Sequence, residues 1–306
     1  MPRLDAIVYR TGGASPDYVS EHASSCARDA DFHRSLSKLT LQVKSDVDMG
    51  LYIPHDFEYV RPFATCINTV LNLRDGMRTQ PFLTCAYESI GHNDEKGFFA
   101  MCPTNYSSNT GRSLGESLAA LGEVIQTRYR DESIRDLMRE LPKTPLVTTF
   151  AFEDMERPEE VCVAIKPDGR CFQAFVPGTD LSIKGTDPYD ALQNLEHSAA
   201  ITKTDLHEHV LRDEPIFGAV DVKIFLQDSI SINRFLISIS PCQNGSKFYD
   251  VYAPQANVAA KSRSVDGALQ NIKDAIALQF HESSLSDVEK ALSVKPIMTT
   301  ARICQN

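Results

Sequence analysis

Four segments of this chain carry an apolar strand that stops at a proline. They are Gly50–Pro54 (GLYIP), Phe98–Pro103 (FFAMCP), Cys171–Pro177 (CFQAFVP) and Phe248–Pro254 (FYDVYAP). Proline offers no N–H to a ladder, so it ends an edge strand or opens a turn. A short polar–apolar alternation follows, as at 179–183 and 256–260, and predicts a third strand. In the last three copies a helix-capping residue stands ten residues after the proline: Ser113 with Glu116, Asp187 before Pro188, and Ser264. Leu118, Leu192 and Leu269 then fall at equivalent positions, with Leu121, Leu195 and Ile272 three residues on. That spacing gives each helix one apolar stripe to lay on a sheet.

The copies also end alike. A second short helix is predicted to close at Leu141, Leu211 and Leu292, each four residues before a proline, and strands follow over 145–150, 215–220 and 296–301. The first copy is shorter: its helix is predicted from Phe63 to Met77, and its closing strand is 81–87. Pro103, Pro177 and Pro254 space the copies by 74 and 77 residues. Matched offsets of this kind indicate a duplicated unit. The sequence therefore predicts an α+β chain of about four tandem modules, each a β-hairpin, a third strand, a helix and a closing strand. Residues 1–39 form an N-terminal strand plus helical cap, followed by modules over 40–87 (short and divergent), 83–150, 146–220 and 216–306. Within the cap, 4–10 (LDAIVYR) alternates as a strand does, and 16–39 reads as a mostly polar helix or helix pair.

This unit resembles the HicB antitoxin domain, a partial RNase H-like fold. Residues 248–280 (FYDVYAPQANVAAKSRSVDGALQNIKDAIALQF) and 171–200 (CFQAFVPGTDLSIKGTDPYDALQNLEHSAA) carry the resemblance; 98–129 and 50–77 diverge further. What it implies is a non-catalytic module that docks on a protein or RNA-handling partner. Family members typically block a small RNA-cleaving toxin of double-stranded-RNA-binding-like fold. Ordinary members carry one such domain and a helix-turn-helix or ribbon-helix-helix segment; here several modules are expected and no such segment follows Ile303. Sequence-specific DNA binding is therefore not expected, and a specialised binder of phage or mobile-element origin is.

Composition narrows the class. A net charge of −10 argues against a protein that coats nucleic acid through its overall charge. No apolar run reaches the roughly 18 residues of a membrane span, and the N-terminus lacks the apolar core of a signal peptide. The eight cysteines include no C-x-x-C pair and read as small buried hydrophobes of a reducing compartment, so a cytoplasmic location is expected.

Motifs for chemistry are sparse. An RNase H-type nuclease needs carboxylates converging on divalent metal. Glu88, Glu153, Asp221 and Lys223 lie near strand ends, and Asp250 sits in the last hairpin strand where the equivalent positions are taken to be Ala100 and Ala174. No consistent acidic set emerges, so no catalytic residue, metal or cofactor is expected. His207-Glu208-His209 is the only histidine cluster, and i, i+2 positions on a helix face apart. Arg128, Arg130, Arg135, Arg139 and Lys143 gather around Tyr129, interleaved with Asp131, Glu132, Asp136 and Glu140. They read either as a solvated face or as a contact for RNA phosphate, which Lys261 and Arg263 would extend. The expected function is a non-enzymatic binding protein that masks or sequesters an RNA-associated partner: a ribonuclease toxin, a ribosome or other RNA machinery. An RNase H-like nuclease, degenerate or active, and a self-assembling structural protein are the alternatives.

Overall fold

A computed structural model of the chain describes residues 3–10, 18–22, 25–49, 61–90, 96–141, 146–151, 159–202, 206, 209–211, 213–241 and 248–302. Across them sixteen strands fall in two antiparallel sheets, with six helices, so the fold is α+β. Among these residues no helix is long and apolar enough to cross a membrane. The chain divides into two units, the first formed by residues 1–63 with 67–155 and the second by 64–66 with 156–306.

The first unit contains β1 (Arg3–Arg10), β2 (Tyr18–His22), β3 (Ser25–Asp29), α1 (Phe32–Asp48), β4 (Pro62–Leu73), β5 (Gly76–Ile90), β6 (Lys96–Cys102), β7 (Ser107–Gly111), α2 (Leu114–Arg128), α3 (Ile134–Glu140) and β8 (Leu146–Ala151). Its strands run in the orders β8-β1-β2-β3 and β4-β5-β6-β7. Leu39 and Val43 of α1 pack on Ala6 of β1, and the buried Ser20 and Ser35 hydroxyls meet at 2.8 Å beneath the helix. Behind α2 lie Phe82 of β5 and Tyr129, whose rings stack at 5.7 Å.

The second unit contains β9 (Glu160–Asp168), β10 (Cys171–Phe175), β11 (Ser182–Gly185), α4 (Pro188–Thr202), β12 (Ile216–Phe225), β13 (Ile230–Pro241), β14 (Tyr249–Ala253), β15 (Val258–Ser262), α5 (Val265–Gln279), α6 (Leu285–Ser293) and β16 (Ile297–Arg302). Its strand orders are β11-β10-β9-β16 and β12-β13-β14-β15. The two units thus repeat one element order. In each, the last strand returns to the first: Leu146 of β8 opposes Val8 of β1, and Ile297 of β16 opposes Ile165 of β9.

Detailed geometry recurs at positions 151 residues apart. Tyr106 and Asn257 both hold left-handed backbone at φ 58 and 53, as do Asp131 and Glu282 at 65 and 60. Ser113 and Ser264 cap α2 and α5, and Ser133 and Ser284 cap α3 and α6. Each hydroxyl accepts from a backbone N–H three residues on, satisfying one of the donors that a helix start leaves open. Leu121 and Ile125 of α2 are fully buried, and so are Ile272 and Ile276 of α5. Phe280 stacks on Phe235 at 5.8 Å, as Tyr129 does on Phe82.

Several elements depart from the sequence expectation. Residues 62–73 form β4 and not a helix; the helix before it is α1. Residues 18–29 form two strands where a polar helix was predicted. Near Leu211 no α-helix occurs among the described residues; Val210 bridges to Val161, and the Leu211 N–H donates to the Glu160 carbonyl at 2.8 Å. The proline-ended segment 50–54 lies outside the described residues. In the apolar stripe, Leu192 is fully buried whereas Leu118 and Leu269 are half-buried; Leu121, Leu195 and Ile272 carry the contact with the sheet.

Candidate functional site

The long β12–β13 hairpin of the second unit carries the most prominent exposed surface. One of its faces is internal: Val222, Ile224 and Phe235 are buried on the side toward α5. On the opposite face the register sets Asp221 across from Arg234, Lys223 from Ile232, and Phe225 from Ile230. Arg234 and Asp221 form a two-pronged ion pair, both contacts at 2.8 Å, with the guanidinium almost wholly buried. Beyond that pair Phe225, Ile230 and Ile232 stay 50%, 57% and 71% exposed, and the Lys223 ammonium lies 5.0 Å from the Phe225 ring centre. Lys223 has no carboxylate partner among the described residues.

This tip is held rigidly. Leu226 N–H donates to Ser229 O at 2.9 Å across the turn, while Glu282 and Gln227 exchange backbone bonds with Phe225 and Ser283 at 3.1 and 3.4 Å. Three large apolar side chains are therefore presented to water on a braced ribbon, in a chain whose charge would otherwise cover its surface. A cluster of that kind marks an interaction surface more often than chance exposure does.

The first unit repeats the brace. Asp131 N–H donates to Asn72 O at 3.2 Å, Arg74 N–H to Glu132 O at 2.9 Å, and Ile134 N–H to the Asp75 carboxylate at 3.0 Å. Its β4–β5 hairpin exposes Val70 at 47% and Met77 at 81%. Around this hairpin stand the arginines named from the sequence. Arg128 ends α2, Arg130 lies in the turn after it, and Arg135 and Arg139 sit on α3, all four exposed. They surround an acid: Arg139 lies 3.5 Å from Asp136, and the Ser133 hydroxyl, helped by Arg139, Arg135 and Arg74, holds the Asp136 carboxyl below its usual value. The group is a mixed-charge surface. Lys143 lies outside the described residues, and Lys261 and Arg263 belong to the other unit.

A cleft of about 410 Å³ opens within the second unit where small residues line facing strands. Cys162, Ser238 and Ser240 are buried at its floor, and Ala259 and Ala260 lie opposite Val176, Pro177 and Gly178. Two packed sheet faces leave a space wherever their side chains are too short to interdigitate. Burial pushes the Cys162 thiol up, against hydrogen bonds with Ser240 and Ser238, so the floor is uncharged at neutral pH and offers no thiolate nucleophile. His209 stands at the rim beside Gly178, while its predicted companions His207 and Glu208 lie outside the described residues. The Lys261 ammonium is 3.1 Å from Asp250, and Tyr252 donates its hydroxyl to Asn257 at 2.8 Å.

Asp250 also corrects a register. In β14 the burial alternates, with Val251 buried and Asp250 half-exposed, so Val251 is the counterpart of the buried Ala100 and Ala174. Asp250 faces the other way, because a one-residue slip along a strand exchanges the faces. Among the described residues no group of three His, Cys, Asp or Glu side chains is placed to hold a metal ion. The sequence reading missed Phe225, Ile230 and Ile232. Their signal was the run Ile224-Phe225-Leu226 beside Ile230 and Ile232, which makes a hairpin end apolar on both faces. Comparison with known proteins yields no matching family model, no matching curated protein and no matching solved structure.

Proposed function

We propose that this chain is a non-enzymatic binding protein, built of four HicB-like modules, that masks an RNA-associated partner: a ribonuclease toxin, a ribosome or other RNA machinery of a bacterial cytoplasm. One observation carries the reading, the apolar ladder of Phe225, Ile230 and Ile232 on a braced hairpin with an unpaired ammonium at its edge. A surface of this make-up favours a protein partner with an apolar patch and a carboxylate beside it, which Lys223 would meet. A second copy is a poorer occupant, since a two-fold contact places the same patch on both sides and brings each Lys223 close to its own mate. Further support comes from the features that recur 151 residues apart, as a duplicated module predicts, and from the buried thiols of Cys66, Cys85, Cys102 and Cys162, which suit a reducing compartment.

The test is affinity capture of the tagged full chain from its native cells, with and without ribonuclease treatment. The expected result is recovery of an RNA-handling protein by the wild-type chain, and its loss from the Ile230→Asp, Ile232→Asp double variant. Lys223→Glu should weaken recovery and remove part of its salt sensitivity. Equal recovery by the double variant, or none by the wild type, overturns the reading.

A further inference from the structure

One face of the outer strands β14 and β15 interleaves rings and cations. Phe248, Asp250 and Tyr252 lie in one row, Arg263, Lys261 and Ala259 in the row beside it, since Asp250 opposes Lys261 and Tyr252 opposes Ala259. Successive members of a row are two residues, or roughly 6.8 Å, apart. The Arg263 guanidinium lies 5.3 Å from the Phe248 ring centre. At the far end Phe175 of β10 meets Tyr252 edge-to-face at 6.2 Å, and the Lys166 ammonium lies 5.1 Å from that Phe175 ring. Phe248, Tyr252 and Phe175 are all half-buried, held in place yet reachable. The strip runs along the cleft, whose floor of Ser238 and Ser240 hydroxyls offers donors and acceptors without charge.

We propose that this strip is a binding platform for single-stranded RNA, with bases stacked on Phe248 and Tyr252, phosphates met by Arg263, Lys261 and Lys166, and one base edge turned into the cleft. Three cations against the single carboxylate of Asp250 make this face locally positive on a chain of net charge −10. Asp250 already engages Lys261, while Arg263 has no carboxylate partner among the described residues. A guanidinium stacked on a ring keeps its N–H edges outward, the geometry that phosphate takes. Rings give contact area to any base, and cations beside them follow the backbone, so binding of this kind tolerates sequence variation and falls with salt. A duplex hides its base faces and cannot use the rings. Lys261 and Arg263 were legible as phosphate candidates in the sequence; the rings that give them a function were not. The inference rests on the reading of the chain as a binding protein, but uses a face separate from the β12–β13 ladder.

Fluorescence anisotropy with a labelled twelve-nucleotide RNA, single-stranded or annealed to its complement, tests it on the full chain. The single strand should bind at least ten-fold tighter than the duplex. Raising salt from 50 to 200 mM should weaken it about twenty-fold if three phosphates are met, from a slope of roughly −0.7 per phosphate. Arg263→Glu and Lys261→Glu, both at exposed positions, should each flatten that slope by at least one phosphate's share. Tyr252→Ala should lose about five- to a hundred-fold, the range for one stacked base. Should Tyr252→Ala melt early by circular dichroism, the two charge reversals decide alone. Absence of binding by the wild type, equal affinity for duplex, or indifference to both reversals overturns the platform. The Ile230→Asp, Ile232→Asp chain should bind RNA as the wild type does. Loss of RNA binding with partner capture intact would remove only the platform, and the reverse pattern only the ladder.

Discussion

Gly111 and Gly115 lie four residues apart at the start of α2, and the same substitution at each should have opposite signs. A Cβ added to Gly111 of β7 would sit 2.5 Å from the Ser117 nitrogen, 2.8 Å from its Cα and 3.0 Å from the Glu116 carbonyl carbon. All three are backbone atoms, so no rotamer relieves the clash. Reaching an ordinary 3.4 Å contact requires α2 to move about 0.9 Å from β7. That motion would lift Leu121 and Ile125 off the strands they cover. Overpacking of this sort costs about 1–3 kcal/mol, and the backbone contacts place Gly111→Ala near the top of that range. Gly115 has nothing within 4 Å, so alanine there gains helix propensity and stabilises by about 0.5–1 kcal/mol. Gly185 repeats the Gly111 situation against Ala191, whereas the α5 copy holds Ser262 on the strand and places its glycine at 267 on the helix. Equilibrium urea unfolding followed by far-ultraviolet circular dichroism reads both variants. A Gly111→Ala chain within about 0.5 kcal/mol of wild type would refute the close strand–helix approach on which this packing argument depends.

Other outcomes follow from the same geometry. Ile272→Ala should cost about 2–5 kcal/mol and Leu269→Ala clearly less, because only the former is fully buried; equal costs in urea titrations would contradict the assigned stripe. The Ser284 hydroxyl, then its backbone N–H, holds the Asp287 carboxyl below its usual value. Its contribution is thus present above the unfolded value of about 3.9 and lost as pH falls through the folded one. In Ser284→Ala a carbon-detected NMR titration should show the Asp287 midpoint rising, and an unchanged midpoint would remove that cause. Burial pushes the Tyr252 hydroxyl up to about 12. The folded chain therefore keeps a proton that the unfolded chain loses near pH 10, and stability should fall between about pH 10 and 12. Tyr252→Phe should remove that part of the alkaline loss, and an identical pH profile would contradict it.

Much of the element list was legible because proline, cap and apolar stripe each leave a local mark. Pro103, Pro177 and Pro254 ended their strands, and Ser113, Asp187 and Ser264 opened helices. Residues 62–73 misled because Phe63, Ile67, Val70 and Leu71 fit a helical period. Thr65, Ile67, Thr69 and Val70 are β-branched, and Thr69, Leu71 and Leu73 bury alternately as a strand does. Pairing of β8 with β1, and of β16 with β9, joins residues more than 130 positions apart and leaves no local sign. The exposed ladder was hidden for a different reason: apolar side chains normally mean core, and only the register showed that Phe225, Ile230 and Ile232 share the face opposite Ile224.

The central claim is that the chain works through a surface it presents to a partner protein. Hydrogen exchange by mass spectrometry, on the chain alone and on the complex captured from its native cells, tests that directly. The account predicts slowed exchange concentrated in residues 221–234 on complex formation, with α5 and its buried strand face unchanged. Protection confined elsewhere, with the β12–β13 hairpin exchanging at its free rate, would contradict it.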